Sequence, residues 1–143
     1  MGIARRTATV LAIGSGIAAL TATTALAAAP SGTVSPSSGL SSGQSVTVAG
    51  SGFPGSGTIG AVVCNTFTDP ATASCDVADA NTTISDADGN FTLQLTVVSS
   101  FSGINPANGG QPAGQVDCSV APGCTVYIGT DAGISVPVTI SFQ

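Results

Sequence analysis

The chain has 143 residues, 43% of them hydrophobic and only 6% charged, with 19 glycines, 4 cysteines and a net charge of −5. Its two basic residues are Arg5 and Arg6, and neither Lys nor His occurs. Without His or Lys there is no imidazole base and no lysine nucleophile, which excludes Ser-His-Asp and Cys-His catalysis, and removal of Arg5 and Arg6 with a signal segment would leave no cationic oxyanion clamp. The chain also lacks the cationic surface that binds nucleic acid or anionic membranes by displacing counterions.

Residues 1–27 open with Arg5-Arg6, continue through a run rich in Ala, Val, Leu and Ile, and end at Ala25-Leu26-Ala27. A charged start, an apolar stretch and a small-x-small site read as a cleavable secretory signal. A membrane-spanning helix is the competing reading, but Gly14, Gly16 and several threonines dilute the run and no stop-transfer charges follow it. Arg5-Arg6 leaves the general and twin-arginine export routes both open. Cutting after Ala27 leaves one domain, residues 28–143, secreted, free of the membrane and expected to be monomeric. Its side-chain charge then rests on the 7 acidic residues, all aspartates, read as the solubilising charge of an exported surface.

Beyond the signal the helix formers Glu, Lys and Arg are absent, and apolar residues recur with period two. Strands are expected at Thr33 to Val34, at Val46 and Val48, over Ile59 to Cys64, over Thr82 to Ile84, and at Phe91, Leu93, Leu95 and Val97. Further ones follow over Gly114 to Cys118 and Thr125 to Thr130. The last is the run in which Ile134, Val136, Val138, Ile140 and Phe142 alternate with polar residues, and Pro137, lacking a ladder donor, means that it lies at a sheet edge or turns the missing N–H outward. Turn-rich stretches separate them, at 36–39, 50–55 and 86–90. Short strands at this spacing predict an all-β sandwich or barrel.

Three local patterns carry alternatives. Asp86-Ala87-Asp88-Gly89 looks like the start of a calcium loop, but Val97 stands where the bidentate Glu belongs, so a hairpin turn is favoured. Asn81-Thr82-Thr83 and Asn90-Phe91-Thr92 are glycosylation sequons, relevant only to a eukaryotic secretory route. The glycines between Gly103 and Gly114 serve either as turn residues or as the lining of a smooth groove. Cys64, Cys75, Cys118 and Cys124 suggest two disulfides in an exported protein, with three pairings open. Neighbour pairing closes two short loops, while a tetra-thiolate zinc site does not fit the spacing, so no metal is expected.

Taken together, Ala28-Ala29-Pro30, the run from Val34 to Ser41, Val46 to Gly50, Asp86 to Gly89 with Leu95 to Val97, Ser100 to Gly103, Val116 to Cys118 and Ile140 to Phe142 resemble the neocarzinostatin family of apo-chromoproteins, over nearly all of 28–143. The resemblance implies a seven-stranded immunoglobulin-like Greek-key sandwich with disulfides Cys64–Cys75 and Cys118–Cys124. It implies a secreted, non-enzymatic carrier that needs no cofactor of its own and holds an enediyne chromophore non-covalently in an apolar cleft. Antimicrobial and cytotoxic action then comes from DNA damage by the released chromophore, the protein itself not touching DNA.

The resemblance places the cleft at the floor disulfide Cys64 and Cys75, at Thr66, Phe67 and Ala80, at Phe101, Ile104 and Pro106, and along the strand through Thr125, Tyr127 and Gly129. Thr66, Ala80 and Pro106 occupy places where chromophore-binding relatives carry aromatic rings. The alternative function is therefore a ligand-free extracellular structural or adhesive module. A third, a secreted hydrolase, needs a carboxylate pair drawn from Asp69, Asp76, Asp79 and Asp117.

Overall fold

In the computed structural model, which describes residues 28–143, the chain is all-β apart from two single 3-10 turns. The segment 1–27 and its reading as a signal lie outside the described residues. Nine strands follow in order: β1 Ser31–Ser35, β2 Gln44–Ser51, β3 Thr58–Asn65, β4 Asn81–Ile84, β5 Phe91–Val97, β6 Ser100–Asn105, β7 Gln111–Asp117, β8 Cys124–Thr130 and β9 Ser135–Ile140. Seven of them form two sheets, a 3-stranded β1-β2-β5 and a 4-stranded β4-β3-β8-β9, with every pairing antiparallel. That order is the Greek-key arrangement of an immunoglobulin-like sandwich.

Alternation decides what lies between the sheets. β5 alternates without a break, with Phe91, Leu93, Leu95 and Val97 buried and Thr92, Gln94 and Thr96 exposed. Val46 and Val48 of β2 and Val34 of β1 join them from one side; Ile59, Ala61, Val63, Val126, Ile128 and Ile140 come from the other, in one apolar cluster. These β-branched side chains suit a half-buried pleated surface. β9 stands at the sheet edge with exposed Pro137 opposite Tyr127, as the proline requires. The strand ends at Ile140, and Phe142 instead bridges to Leu40.

β6 and β7 form a 2-stranded ribbon beside the sandwich. It attaches through the segment around Cys75, which bridges Cys64 on one side and Ile104 on the other. The Cys75 and Ile104 amides each donate to the other's carbonyl, both at 2.9 Å, and the Asp76 amide donates to the Val63 carbonyl at 2.8 Å.

One sequence expectation is corrected. The turn over 86–90 is no hairpin: β4 pairs with β3 and β5 with β2, so the turn arches from one sheet to the other. The Asp86 carboxylate accepts from the amides of Asp88 and Asn90 and the side chain of Asn90, so the turn itself occupies its oxygens. All four cysteines are consumed in disulfides, Cys64–Cys75 and Cys118–Cys124, the two that the resemblance implies.

Candidate ligand groove

Residues of β3 and β8 that do not face the core must face outward, and the register sets them in rows: Gly60 opposite Gly129, Val62 opposite Tyr127, Cys64 opposite Thr125. The first row carries no side chains and leaves a trough of about 490 Å³. Ala80, Asn81 and Thr82 wall it on one side, the β8–β9 turn from Asp131 through Ser135 on the other, and Val62 and Tyr127 bound its end. The two glycines differ in their reasons. A Cβ on Gly129 would meet the Ile134 carbonyl oxygen at 2.9 Å, so close approach of the turn demands glycine there. At Gly60 the nearest atom would be Thr82 Cγ2 at 3.8 Å, so its lack of a side chain serves only to leave the trough open.

The second row is filled from within the chain. Phe67 stacks on Tyr127 with ring centroids 4.8 Å apart and planes 23° from parallel. Together with Val62 these rings pack on buried Cys64, Ala73 and Cys75, a small apolar cluster on the outer face, separate from the main core. The Cys64–Cys75 disulfide is therefore covered by the chain's own aromatic pair.

The third row turns polar. Thr125 is buried with its hydroxyl 3.0 Å from that of Thr66, and Thr66 lines a second, more polar groove of about 420 Å³. That groove runs between the loop after β3, the ribbon around Gln115 and Asp117, and the loop closed by Cys118–Cys124. The loop after β3 is fixed by Asn65, whose side chain donates to the Thr72 carbonyl and accepts from the Ser74 amide, and by Asp69, which caps the turn Pro70–Thr72.

Of the residues expected at the cleft, Ala80, Tyr127 and Gly129 line the trough, and Phe67, Cys64 and Cys75 adjoin it through the stack. Thr66 and Thr125 meet beside the second groove. Phe101 turns into the main core, Ile104 lies in the ribbon, and Pro106 is exposed at the start of the turn Pro106–Asn108. The stretch from Gly103 to Gly114 forms the ribbon rather than a groove wall, only Ala113 of it facing a groove.

Sequence reasoning missed Gly60, the residue that opens the trough, because it sits inside an apolar strand. It also missed Asn105, buried, whose side chain donates to the Ala71 carbonyl at 2.8 Å and accepts from the amides of Ala107 and Asn108. Asp69-Pro70 and Asn105-Pro106 carry the same signal, an Asx side chain capping a turn whose first residue is proline.

The reading of all seven aspartates as surface charge fails at Asp76, which is buried with its Oδ2 unpartnered. Burial, and then the nearby charge of Asp79, push its carboxyl above the ordinary value. Asp86 and Asp117 lie below theirs because hydrogen bonds, from Asn90 and Ser119 foremost, favour the charged form. Asp76 and Asp79 are the neighbouring carboxylates that a hydrolase reading requires, yet neither lines a groove. Among the described residues no group of three or more His, Cys, Asp or Glu is placed to hold a metal, and no helix is long and apolar enough to cross a membrane.

Comparison with known proteins adds a lineage to this geometry. A model of the neocarzinostatin family matches residues 32–142. Macromomycin of Streptomyces macromomyceticus is 38% identical over 74 residues, 52% of this chain, and the match spans 50% of that relative's length. The solved structure of macromomycin, 36% identical, superposes with a TM-score of 0.72 over 80% of this chain and all of the other (100%). The solution conformation of apokedarcidin, 35% identical, does so with a TM-score of 0.63 over 81% of this chain and 100% of its own.

Proposed function

The chain belongs to the neocarzinostatin family, and from that premise we propose that it is a secreted, non-enzymatic carrier of a small, flat, apolar chromophore of enediyne type, held without a covalent bond on the outer face of the four-stranded sheet. The observation that carries this reading is the bare row Gly60–Gly129, where the sheet supplies a rigid backbone floor and no side chain to fill it. A concave apolar floor with a few polar groups at its rim suits such a ligand and keeps water and thiols from it. The protein has no Lys, Arg or His after Arg6, so DNA damage falls to the released chromophore. The segment 1–27 directs export and is cleaved after Ala27 in the process, and the carrier acts as a monomer.

The test is a titration of the oxidised protein with an enediyne or a naphthoate analogue, followed by backbone chemical shifts. Saturable shifts centred on Gly60, Val62, Tyr127 and Gly129 are expected. Gly60→Leu, which places a side chain in the open trough, should abolish them while the remaining spectrum stays folded. No saturable shift at high micromolar ligand sinks the reading.

One observation favours a second reading, a ligand-free extracellular module: the ring on Tyr127 comes from the chain itself, and Thr66, Ala80 and Pro106 stand where the resemblance would put aromatic rings. Wild-type protein indifferent to every flat aromatic tried would favour it.

A further inference from the structure

We infer that Phe67 is a stand-in for the ligand: a flat aromatic guest displaces it from Tyr127 and takes its place. The inference rests on the carrier reading and adds how the trough admits a guest longer than its bare glycine row.

Tyr127 belongs to two environments at once. It ends the trough, and it carries Phe67 stacked at 4.8 Å and 23°. A planar guest lying over Gly60 and Gly129 therefore reaches Tyr127 and stops, because Phe67 holds the space beyond. Behind Phe67 lie the apolar Val62, Ala73 and the Cys64–Cys75 disulfide, packed in one cluster with it. With Phe67 swung away, a guest would extend from the glycine row onto these apolar groups.

The exchange is inexpensive because stacking on Tyr127 is conserved through it, one aromatic partner replacing another. Phe67 is also only partly buried and held by its ring. The hydrogen bonds that fix its loop belong to neighbours: the Thr66 amide donates to the Gly123 carbonyl, Asp69 caps Ala71, and Asn65 grips Thr72 and Ser74. Rotation of Phe67 breaks none of these. By contrast Tyr127 is fixed in β8 between Val62 and Pro137. One member of the pair is thus anchored and the other is free to leave.

The experiment uses methyl 2-naphthoate, a neutral two-ring aromatic, and the intact oxidised protein. Tyr127 is the single tyrosine, so its ring protons are unambiguous. Ring-to-ring nuclear Overhauser effects between Phe67 and Tyr127 should be present in the free protein. They should vanish at saturation and be replaced by effects between the probe and Tyr127. Phe67→Ala should bind the probe about two- to ten-fold tighter, since it removes a competitor whose stacking is worth about that factor.

Persistence of the Phe67–Tyr127 effects in a complex whose shifts centre on Gly60 and Gly129 would overturn the inference and leave the carrier reading standing. Weaker binding by Phe67→Ala would do the same, making Phe67 a wall instead of a plug. No binding by either protein removes both. Should Phe67→Ala not fold, the wild-type ring contacts decide alone.

Discussion

On the inner face of β3 and β8, Ile59, Ala61, Val63, Val126 and Ile128 are sealed against the opposite sheet, while on the outer face of the same strands the corresponding places hold Gly60, Val62, Tyr127 and Gly129. Both faces hang on one hydrogen-bond ladder, and they use it in opposite ways. The inner face works by bulk: each side chain excludes water and fills volume, so removing atoms costs stability. On the carrier reading the outer face works by the local absence of bulk, so adding atoms would cost capacity. Stability and binding would then be written on alternate residues of the same strands, and mutations on the two faces should separate them.

The sharpest break falls on the inner face. Ile128 is fully buried, so Ile128→Ala leaves a cavity in the main core and should destabilise the domain by about 2–4 kcal/mol in urea denaturation. Its backbone neighbours Tyr127 and Gly129 would keep their outward geometry in whatever fraction remains folded. Next comes the one place where the outer face carries stability. Opening Cys64–Cys75 by a double Ser substitution frees a short loop and uncovers the small apolar cluster, a loss of about 2–3 kcal/mol on the loop-entropy estimate. A midpoint shift in denaturation smaller than that of Ile128→Ala, together with loss of the Phe67–Tyr127 stack, is the expected pair of results.

A smaller effect is expected where the ribbon meets the sheet. Gly103 is buried, and a Cβ there would overlap the Ser74 hydroxyl and crowd its backbone, so Gly103→Ala must push the ribbon away from the Cys75 segment. Overpacking of this kind costs about 1–3 kcal/mol. Faster amide exchange at Cys75 and Ile104 than at Val126 would locate the damage, and uniform exchange would show instead that ribbon and sandwich open together.

The inner face was legible in the sequence because period two is a global rule. Phe91 to Val97 shows it so cleanly that burial follows, and in the run ending at Ile140 it gives the edge position and the role of Pro137. Of the ribbon only the second strand was, in the expected Gly114 to Cys118; the first was not, because Ser100 to Asn105 offers Ser, Gly and Asn where strands favour branched and aromatic residues, and the register shifts between Gly103 and Ile104. The outer face was half legible. The family resemblance pointed to Tyr127, Gly129, Ala80 and the disulfide, but no periodicity marks Gly60 as an opening. Nor does any local pattern place Phe67 over Tyr127, a contact across about half of the domain's sequence. Asp76 was misread because charge and burial conflict, and nothing in the sequence says which prevails.

Asp76 tests the comparison in its subtlest form, since it follows Cys75 of the outer cluster yet is buried, its amide bound to Val63 of the inner face. Among the described residues there is no basic side chain to pair with it, and a proton relieves the unpartnered Oδ2. Its carboxyl lies above the ordinary 3.8, from burial first and Asp79 second. Below that ordinary value both folded and unfolded chains are protonated at this site and its contribution is whole. As pH rises through the ordinary value and on to the elevated one, the folded state holds a proton the unfolded state has released, so stability falls across that window. Asp86 and Asp117, held below their ordinary value, act with the opposite sign, contributing stability above it that is lost in acid. The difference between Asp76→Asn and wild type isolates the first group. It should be smallest in acid, grow in favour of the variant through the window, and level off towards neutrality. A difference that stays constant with pH would mean that Asp76 reaches solvent as the outer face does, and that the boundary between the two faces runs on the other side of it.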